Sequence, residues 1–345
     1  GSVAVPEISG TATFSKRVNE ETLVKIMLEG TPDGGMHPSH IHLNTAAEGG
    51  AIAVSFTPID GTTGMSVTNV ASLDNDTAIT YDELLEFDGY INVHLSADDL
   101  GTLVAQGDIG QNELTGVEKI YELGEKAVDG ISGTATFKER KNGEALAILE
   151  LMNTPEDGIH PAHIHANTAL QGGAIIVSFD PVNGATGMSK TNVSMLDDET
   201  EIGYADILEI DGYINVHLSA AQLGVIVAQG DIGQNELTGD SKVYVLGEKD
   251  VPGINGVATF RKRANGNTLA TLEVQNTIPG SSHPAHIHAN SASEGGPIVV
   301  SFTPVDGTSG MSMTDIAALD DDTAITYDQL LTYDGYINVH LSMAQ

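Results

Sequence analysis

Twelve histidines carry most of the chemistry open to this chain, and none of them stands alone. They fall on four positions that recur every 123 residues: His37, His40, His42 and His94, then His160, His163, His165 and His217, then His283, His286, His288 and His340. Two imidazoles two residues apart on a strand point to the same face, so His40 and His42 project together while Ile41 turns away. His94 arrives from a distant strand through Asn92-Val93-His94, and His37, across Pro38, stands at the entry of the first strand. A same-face pair joined by an imidazole from a second strand is how a β scaffold gathers metal ligands. Neutral imidazole suits copper and zinc, and a chain with no cysteine has no thiolate to offer. The expected ion is Cu(II) or Zn(II), one per set, with all twelve histidines as candidate ligands and the fourth of each set (His37 and its copies) completing the sphere. A buried, hydrogen-bonded histidine is the simpler reading of any single one. Three complete sets with no stray favour ligation.

The elements that must position these residues are repeated as well. Ile8-Ser9-Gly10-Thr11-Ala12-Thr13-Phe14 returns as Ile131 to Phe137 and, altered, as Ile254 to Phe260, while Gly89-Tyr90-Ile91-Asn92-Val93-His94-Leu95-Ser96 is repeated letter for letter at 212–219 and 335–342. No insertion breaks the register, so the chain is a tandem array. Within one copy, Thr11–Arg17, Thr22–Leu28, His37–Leu43, Ala51–Phe56, Tyr90–Leu95, Leu103–Gln106 and Lys119–Leu123 read as strands between glycine-rich turns. One short helix is expected at Tyr81–Phe87, because Thr80 with Glu83 forms a capping-box pattern that Thr326 with Gln329 repeats. Many short strands and one short helix per copy indicate an all-β protein of three tandem Greek-key β-sandwich domains.

The motif His37-Pro38-Ser39-His40-Ile41-His42, followed by Gly49-Gly50 and by Tyr90-Ile91-Asn92-Val93-His94, resembles the CHRD (chordin) domain family. His160-Pro161-Ala162-His163-Ile164-His165 and His283-Pro284-Ala285-His286-Ile287-His288 match its pattern more closely still. The likeness covers the chain three times over. It implies an extracellular or periplasmic β-sandwich, often in bacterial surface proteins, with no established catalytic activity, and it places the family's histidines on the twelve positions above. One departure is the closing strand, where Gly107-Asp108-Ile109-Gly110-Gln111-Asn112-Glu113 lacks the family's arginine. The same resemblance sets the boundaries at 1–116, where the opening strand is missing, 117–239, which is complete, and 240–345, where the closing strand is missing. Incomplete terminal domains raise self-association by strand exchange as one expectation. A more distant likeness, to the Cu,Zn superoxide dismutase family through its His-x-His strand, makes a copper enzyme the alternative. No second zinc site with a bridging histidine accompanies it.

The rest of the sequence narrows the partners. Net charge is −34, from 48 acidic against 14 basic residues, which argues against nucleic acid, since phosphate contacts need clustered Lys and Arg. Solubility in a salty medium explains such acidity, and so does attraction of cations. No apolar run is long enough for membrane insertion. Gly1-Ser2 reads as a cloning remnant, and the localisation expected from the family is secreted or cell-surface. Met65, Met188 and Met311 keep register and read as core residues, with an axial copper thioether as the alternative. Asp74-Asn75-Asp76, with its copies Asp197-Asp198-Glu199 and Asp320-Asp321-Asp322, reads as a solvated turn or as a Ca(II) site. Asp108 and Asp231 can orient a histidine or cap a turn. Arg17, Arg140 and Arg263 keep register without an evident role. No catalytic triad, phosphate loop or nucleophile elbow is present. The resulting expectation is a non-enzymatic, extracellular array binding one Cu or Zn ion per domain, for sequestration or for stapling the fold, with a polymerising or adhesive module and a dismutase-like enzyme as alternatives.

Overall fold

The computed structural model describes residues 7–342; Gly1 and Ser2, read above as a cloning remnant, lie outside them. Alternation writes the strands. In Thr22-Leu23-Val24-Lys25-Ile26-Met27-Leu28-Glu29, Thr22, Val24, Ile26 and Leu28 are buried, and the residues between them are half-buried or exposed, as a strand with one face on a core demands. The first repeat runs β1 (Ser9–Lys16), β2 (Thr22–Glu29), β3 (Met36–His37), β4 (Ser39–Leu43), β5 (Ile52–Ser55), β6 (Ile59–Asp60), β7 (Met65–Val70), α1 (Tyr81–Leu85), β8 (Asp88–Ser96) and β9 (Asp99–Gly110). The second runs β10 (Leu114–Glu125), β11 (Ser132–Arg140), β12 (Ala145–Met152), β13 (Ile159–Ala166), β14 (Ile175–Asn183), β15 (Met188–Val193), α2 (Tyr204–Glu209), β16 (Asp211–His217) and β17 (Ile226–Gly233). The third runs β18 (Leu237–Leu246), β19 (Asn255–Arg263), β20 (Thr268–Gln275), β21 (Ser282–His283), β22 (Ala285–Ala289), β23 (Ile298–Ser301), β24 (Val305–Asp306), β25 (Met311–Ile316), α3 (Tyr327–Leu331) and β26 (Gly335–Val339).

The protein is all-β, as the alternation required. The first repeat forms two sheets, β1-β2-β7-β6-β3 and β5-β4-β8-β9, and the third forms β18-β19-β20-β25-β24-β21 and β23-β22-β26. In the second repeat hydrogen bonding closes the ring β10-β11-β12-β15-β14-β13-β16-β17 into an eight-stranded barrel, a tighter form than the expected open sandwich. Two differences account for it. β13 and β14 run unbroken through the corners where the first repeat divides into β3 and β4, and into β5 and β6. β10 supplies the seam, pairing Gly124 with Gln229 and Glu125 with Ala228, and a closed barrel leaves no unpaired edge. The Lys119–Leu123 strand read from the sequence is thus part of β10. β7 and its copies were not legible, because Met65-Ser66-Val67-Thr68-Asn69-Val70 is too polar to signal burial, yet Ser66 and Val70 are its buried positions.

The expected short helix is present in all three repeats, and both expected capping boxes form. Thr80 Oγ1 accepts from the Glu83 amide and the Glu83 carboxylate accepts from the Thr80 amide at 2.8 Å; Thr326 and Gln329 repeat the exchange. In the second repeat glycine stands at that place, and Asp206 Oδ2 accepts from the Gly203 amide at 2.8 Å instead. The core of the first repeat gathers Ile8, Val24, Ile26, Ile41, Val54, Ile59, Val70, Leu84, Val93, Val104 and Ile109. Ile41, turned inward between His40 and His42, is fully buried, which fixes both imidazoles on the opposite face. The chain divides into two compact units with the division inside the second repeat, and each group of three histidines described below lies wholly within one unit. Among the described residues no helix is long and apolar enough to cross a membrane.

Candidate metal centre

Register brings the imidazoles together. β4 pairs with β8 so that His42 faces Tyr90 and His40 faces Asn92, and His94 follows two residues further along the same face. A β-bulge between Val93 and His94 in the β8–β9 pairing re-aims the end of that strand, a common device next to sites. The ring centroids of His40, His42 and His94 lie 5.8, 5.1 and 6.3 Å apart. His163, His165 and His217 repeat these spacings at 5.9, 5.0 and 6.2 Å, and His286, His288 and His340 at 5.8, 5.2 and 6.1 Å. In each triad one nitrogen from every ring lies within 4.8 Å of the others. Three nitrogens bound to one ion at 2.0–2.1 Å in tetrahedral geometry stand about 3.3 Å apart, so side-chain adjustments of roughly 1.5 Å close the site. His163 Nδ1 and His217 Nε2 are already 3.1 Å apart.

Backbone carbonyls decide which nitrogens face the centre. His42 Nδ1 donates to the Gly50 carbonyl at 2.9 Å and His94 Nδ1 to the Leu100 carbonyl at 2.6 Å. A ring that donates from Nδ1 keeps its lone pair on Nε2. His42 Nε2, His94 Nε2 and His40 Nδ1 are then buried nitrogens without a hydrogen-bond partner. Buried polar atoms are rarely left so unless something else engages them. The arrangement recurs: His165 Nδ1 donates to Gly173 O and His217 Nδ1 to Leu223 O, and His288 Nδ1 donates to Gly296 O while His288 Nε2 and His286 Nδ1 lack partners. In the first repeat the donor set is therefore one Nδ1 and two Nε2, and main-chain carbonyls hold the tautomer of the two Nε2 donors, as is usual for metal-ligating histidines. The Gly49-Gly50 turn exists to aim that carbonyl. Gly49 has φ of +75°, and a Cβ on Gly50 would stand 2.0 Å from the Leu43 carbonyl. Tyr90 stacks on His42 at 5.0 Å and 21°, Tyr213 and Tyr336 do the same in the other repeats, and each tyrosine holds one ring plane.

The protonation balance suits ligation. Burial, with the neighbouring His94 and His42 rings, holds His40 below the ordinary imidazole value, and Asp74 opposes the shift. Burial likewise lowers His217 and His286. Neutral imidazole is the form that binds an ion.

His37, His160 and His283 do not join the triads, so the expected fourth ligand is not among the converging groups. His37 is buried and its Nδ1 donates to the main-chain carbonyl of His94 at 3.2 Å; His283 does the same to His340 O. In the first repeat His37 lies on β3, in the other sheet, and supports the ligand strand from behind. Met65 and Met311 are exposed on β7 and β25, in the sheet that does not carry the triad, which removes the core and axial-ligand readings for these two, while Met188 is half-buried on β15. The acidic turns do not assemble a third kind of site: Asp74 accepts from the Ser55 amide and hydroxyl, Asp320 from those of Ser301, and among the described residues only the histidines form groups close enough to hold an ion.

Asp108 and Asp231 cap turns rather than orient a histidine, accepting through Oδ1 from the Ala46 amide at 2.7 Å and the Ala169 amide at 2.8 Å, and their other oxygens hold arginines. Arg140, with no exposed side-chain surface, donates from Nη1 to Asp108 Oδ2 at 2.7 Å and to Asn112 O at 2.6 Å, and from Nε to Asn192 Oδ1 at 2.8 Å. Arg263 makes the same links to Asp231, Asn235 O and Asp315. Each arginine thus ties its repeat to the closing strand of the one before, while Arg17 at the same register is exposed. The 123-residue recurrence of both arginine and aspartate was the available signal.

Fold and site together define an all-β tandem repeat protein with a three-histidine candidate metal centre in each repeat. No family model, curated protein or solved structure matches the chain. The chordin-domain and dismutase resemblances therefore rest on their motifs alone.

Proposed function

We propose that the protein is a non-enzymatic, extracellular metal-binding array in which each repeat takes one Cu(II) or Zn(II) ion through His40, His42 and His94 or their copies. The observation that carries this reading is the convergence of three imidazoles in every repeat, with the buried, partnerless nitrogens His40 Nδ1, His42 Nε2 and His94 Nε2 in the first and His165 Nε2, His286 Nδ1 and His288 Nε2 as their counterparts. Three uncharged nitrogen donors without a carboxylate suit these borderline ions better than Ca or Mg. The net charge of −34 supports the role by concentrating cations around the molecule. Each ion would also join β4 to β8 through side chains, so sequestration and stapling are two consequences of one site. Metal content measured by mass spectrometry after Cu(II) or Zn(II) loading and dialysis is the test: close to three ions per chain is expected, and close to none refutes the proposal. The dismutase-like alternative has the triad in its favour and the charge against it, since an acidic surface repels superoxide. Superoxide consumption by the copper-loaded protein at the rate of a steered enzyme would overturn the non-enzymatic reading.

A further inference from the structure

His42 owes its orientation to a carbonyl, and the loop that presents this carbonyl is braced from outside. Between β4 and β5 the chain makes one tight turn, in which the Gly49 amide donates to the Thr45 carbonyl at 3.0 Å and Asn44 Nδ2 to the Gly49 carbonyl at 3.0 Å. Gly50 follows and accepts from His42 Nδ1 at 2.9 Å. Two groups, from the end of β9 and the turn after it, bind the start of this loop. Asp108 Oδ1 accepts from the Ala46 amide at 2.7 Å, and Asn112 Nδ2 donates to the Asn44 carbonyl at 3.0 Å. Arg140 Nη1 joins the two restraints, reaching Asp108 Oδ2 at 2.7 Å and the Asn112 carbonyl at 2.6 Å. The guanidinium comes from β11, in the second repeat, whereas the loop and His42 belong to the first. One repeat later the same contacts run from Arg263 of β19 through Asp231 and Asn235 to the Ala169 amide and the Asn167 carbonyl. That loop carries the Gly173 carbonyl, which accepts from His165 Nδ1 at 2.9 Å. Each series of contacts lies within one compact unit.

We infer that Arg140 and Arg263 are positioning residues for the metal centre of the preceding repeat, so that each of these two centres takes part of its affinity from the repeat that follows it. The inference rests on the proposed metal function. The arginine acts through aspartate and loop rather than on a histidine. With Oδ2 of Asp108 held by the guanidinium, Oδ1 is aimed at the Ala46 amide, and the loop keeps the Gly50 carbonyl where an Nδ1–H tautomer of His42 satisfies it. Without the arginine the carboxylate is free to turn, the carbonyl loses its fixed direction, and His42 presents Nε2 to the triad for only part of the time. Outer partners of this kind change metal affinity by about 10–100-fold. Linkage makes the effect mutual. An ion bound through His42 favours the arginine's place between Asp108 and Asn112 by the same factor, so loading one repeat with metal tightens this contact with the next.

The test uses two full-length parent chains that each keep one of the two centres concerned. His165→Ala with His288→Ala keeps the first, and His42→Ala with His288→Ala keeps the second. Arg140→Ala is added to both, and Zn(II) affinity is measured by competition with a chromophoric chelator. The first centre should weaken roughly tenfold or more while the second stays within about twofold; Arg263→Ala should reverse that pattern. Equal losses in both chains, or no loss in the first, overturn the inference. Arg140→Ala strips Asp108 of its partner, so the double variant Asp108→Ala with Arg140→Ala, which leaves no unpaired charge, carries the same expectation if the single variant does not fold. Imidazole nitrogen NMR of the metal-free protein reads the coupling without any ion. Arg140→Ala should convert His42 from a fixed Nδ1–H tautomer to a mixture and leave His165 unchanged. A His42 tautomer that stays fixed overturns the inference, whereas failure of both parent chains to bind Zn(II) is a failure of the metal function itself.

Discussion

Replacing His94 with alanine should cost one ion in three, and replacing His37 should cost none. His94 supplies one of three converging nitrogens, whereas His37 reaches only the main-chain oxygen of His94, at 3.2 Å. A four-donor structural zinc site binds with about 10–16 kcal/mol, so each donor carries roughly 2.5–4 kcal/mol. Loss of one donor then weakens the ion by about 10²–10³-fold. Loss of the His37 hydrogen bond is worth about 0.5–1.5 kcal/mol, tenfold at most, although the buried ring leaves a gap that lowers folding stability by roughly 1–3 kcal/mol. Calorimetric Zn(II) titration of the wild type and both variants separates the two, with metal content after dialysis as the second readout. The centres at His163–His165–His217 and His286–His288–His340 serve as internal controls, because each triad is closed within its own repeat. An ion lost on His37→Ala, three ions retained on His94→Ala, or all three lost together would each refute this assignment of donors.

Arg140→Ala should destabilise the protein by about 3–5 kcal/mol in guanidinium unfolding, because Asp108 and the Asn112 carbonyl lose a buried partner; Arg17→Ala, at an exposed position of the same register, should stay within about 0.5 kcal/mol. His40, His217 and His286 are held below the ordinary imidazole value when folded, so the unfolded chain binds protons first as pH falls. Metal-free stability should therefore be intact above about pH 6.5 and decline as pH drops through and below it; unfolding curves that stay flat from pH 7 to 5 would contradict this. Raising ionic strength from about 0.01 to 0.15 M shortens the screening length from roughly 30 to 8 Å and should slow stopped-flow metal uptake about tenfold or more, while release, set by uncharged donors, changes little.

Much of this was legible because the repeat made it so. The His40–Ile41–His42 alternation announced a strand with its imidazoles on one face, and Ile41 is fully buried as that required. Thr80 and Glu83 announced their helix. What escaped was set by partners distant in sequence. Nothing local to His37 tells that it stays outside the triad, behind the ligand strand. The polar β7 is a strand because β2 pairs with it from Thr22–Val70 to Met27–Met65, not because of its own composition. Arg140 and Asp108 were each visible as recurring letters, but only the turn from β9 into β10 shows that they belong to one another. Closure of the second repeat depended on a pairing between strands about a hundred residues apart, which no local pattern encodes.

The charge and the site act at different ranges. The −34 of the whole chain draws in cations of every kind, and if carboxylates also formed the inner ligand set, Ca and Mg would compete for it. Among the described residues they do not: the groups close enough to hold an ion consist of histidine only, so in the proposed function the long-range field supplies concentration and the lone pairs supply choice. An anionic substrate would need the opposite arrangement, with cationic groups around the mouth of the site. The two buried arginines that hold such charge are engaged by Asp108 and Asp231. Binding of a metal ion as cargo or staple uses the surface and the triads in the same sense, and a reaction on an anion sets them against each other.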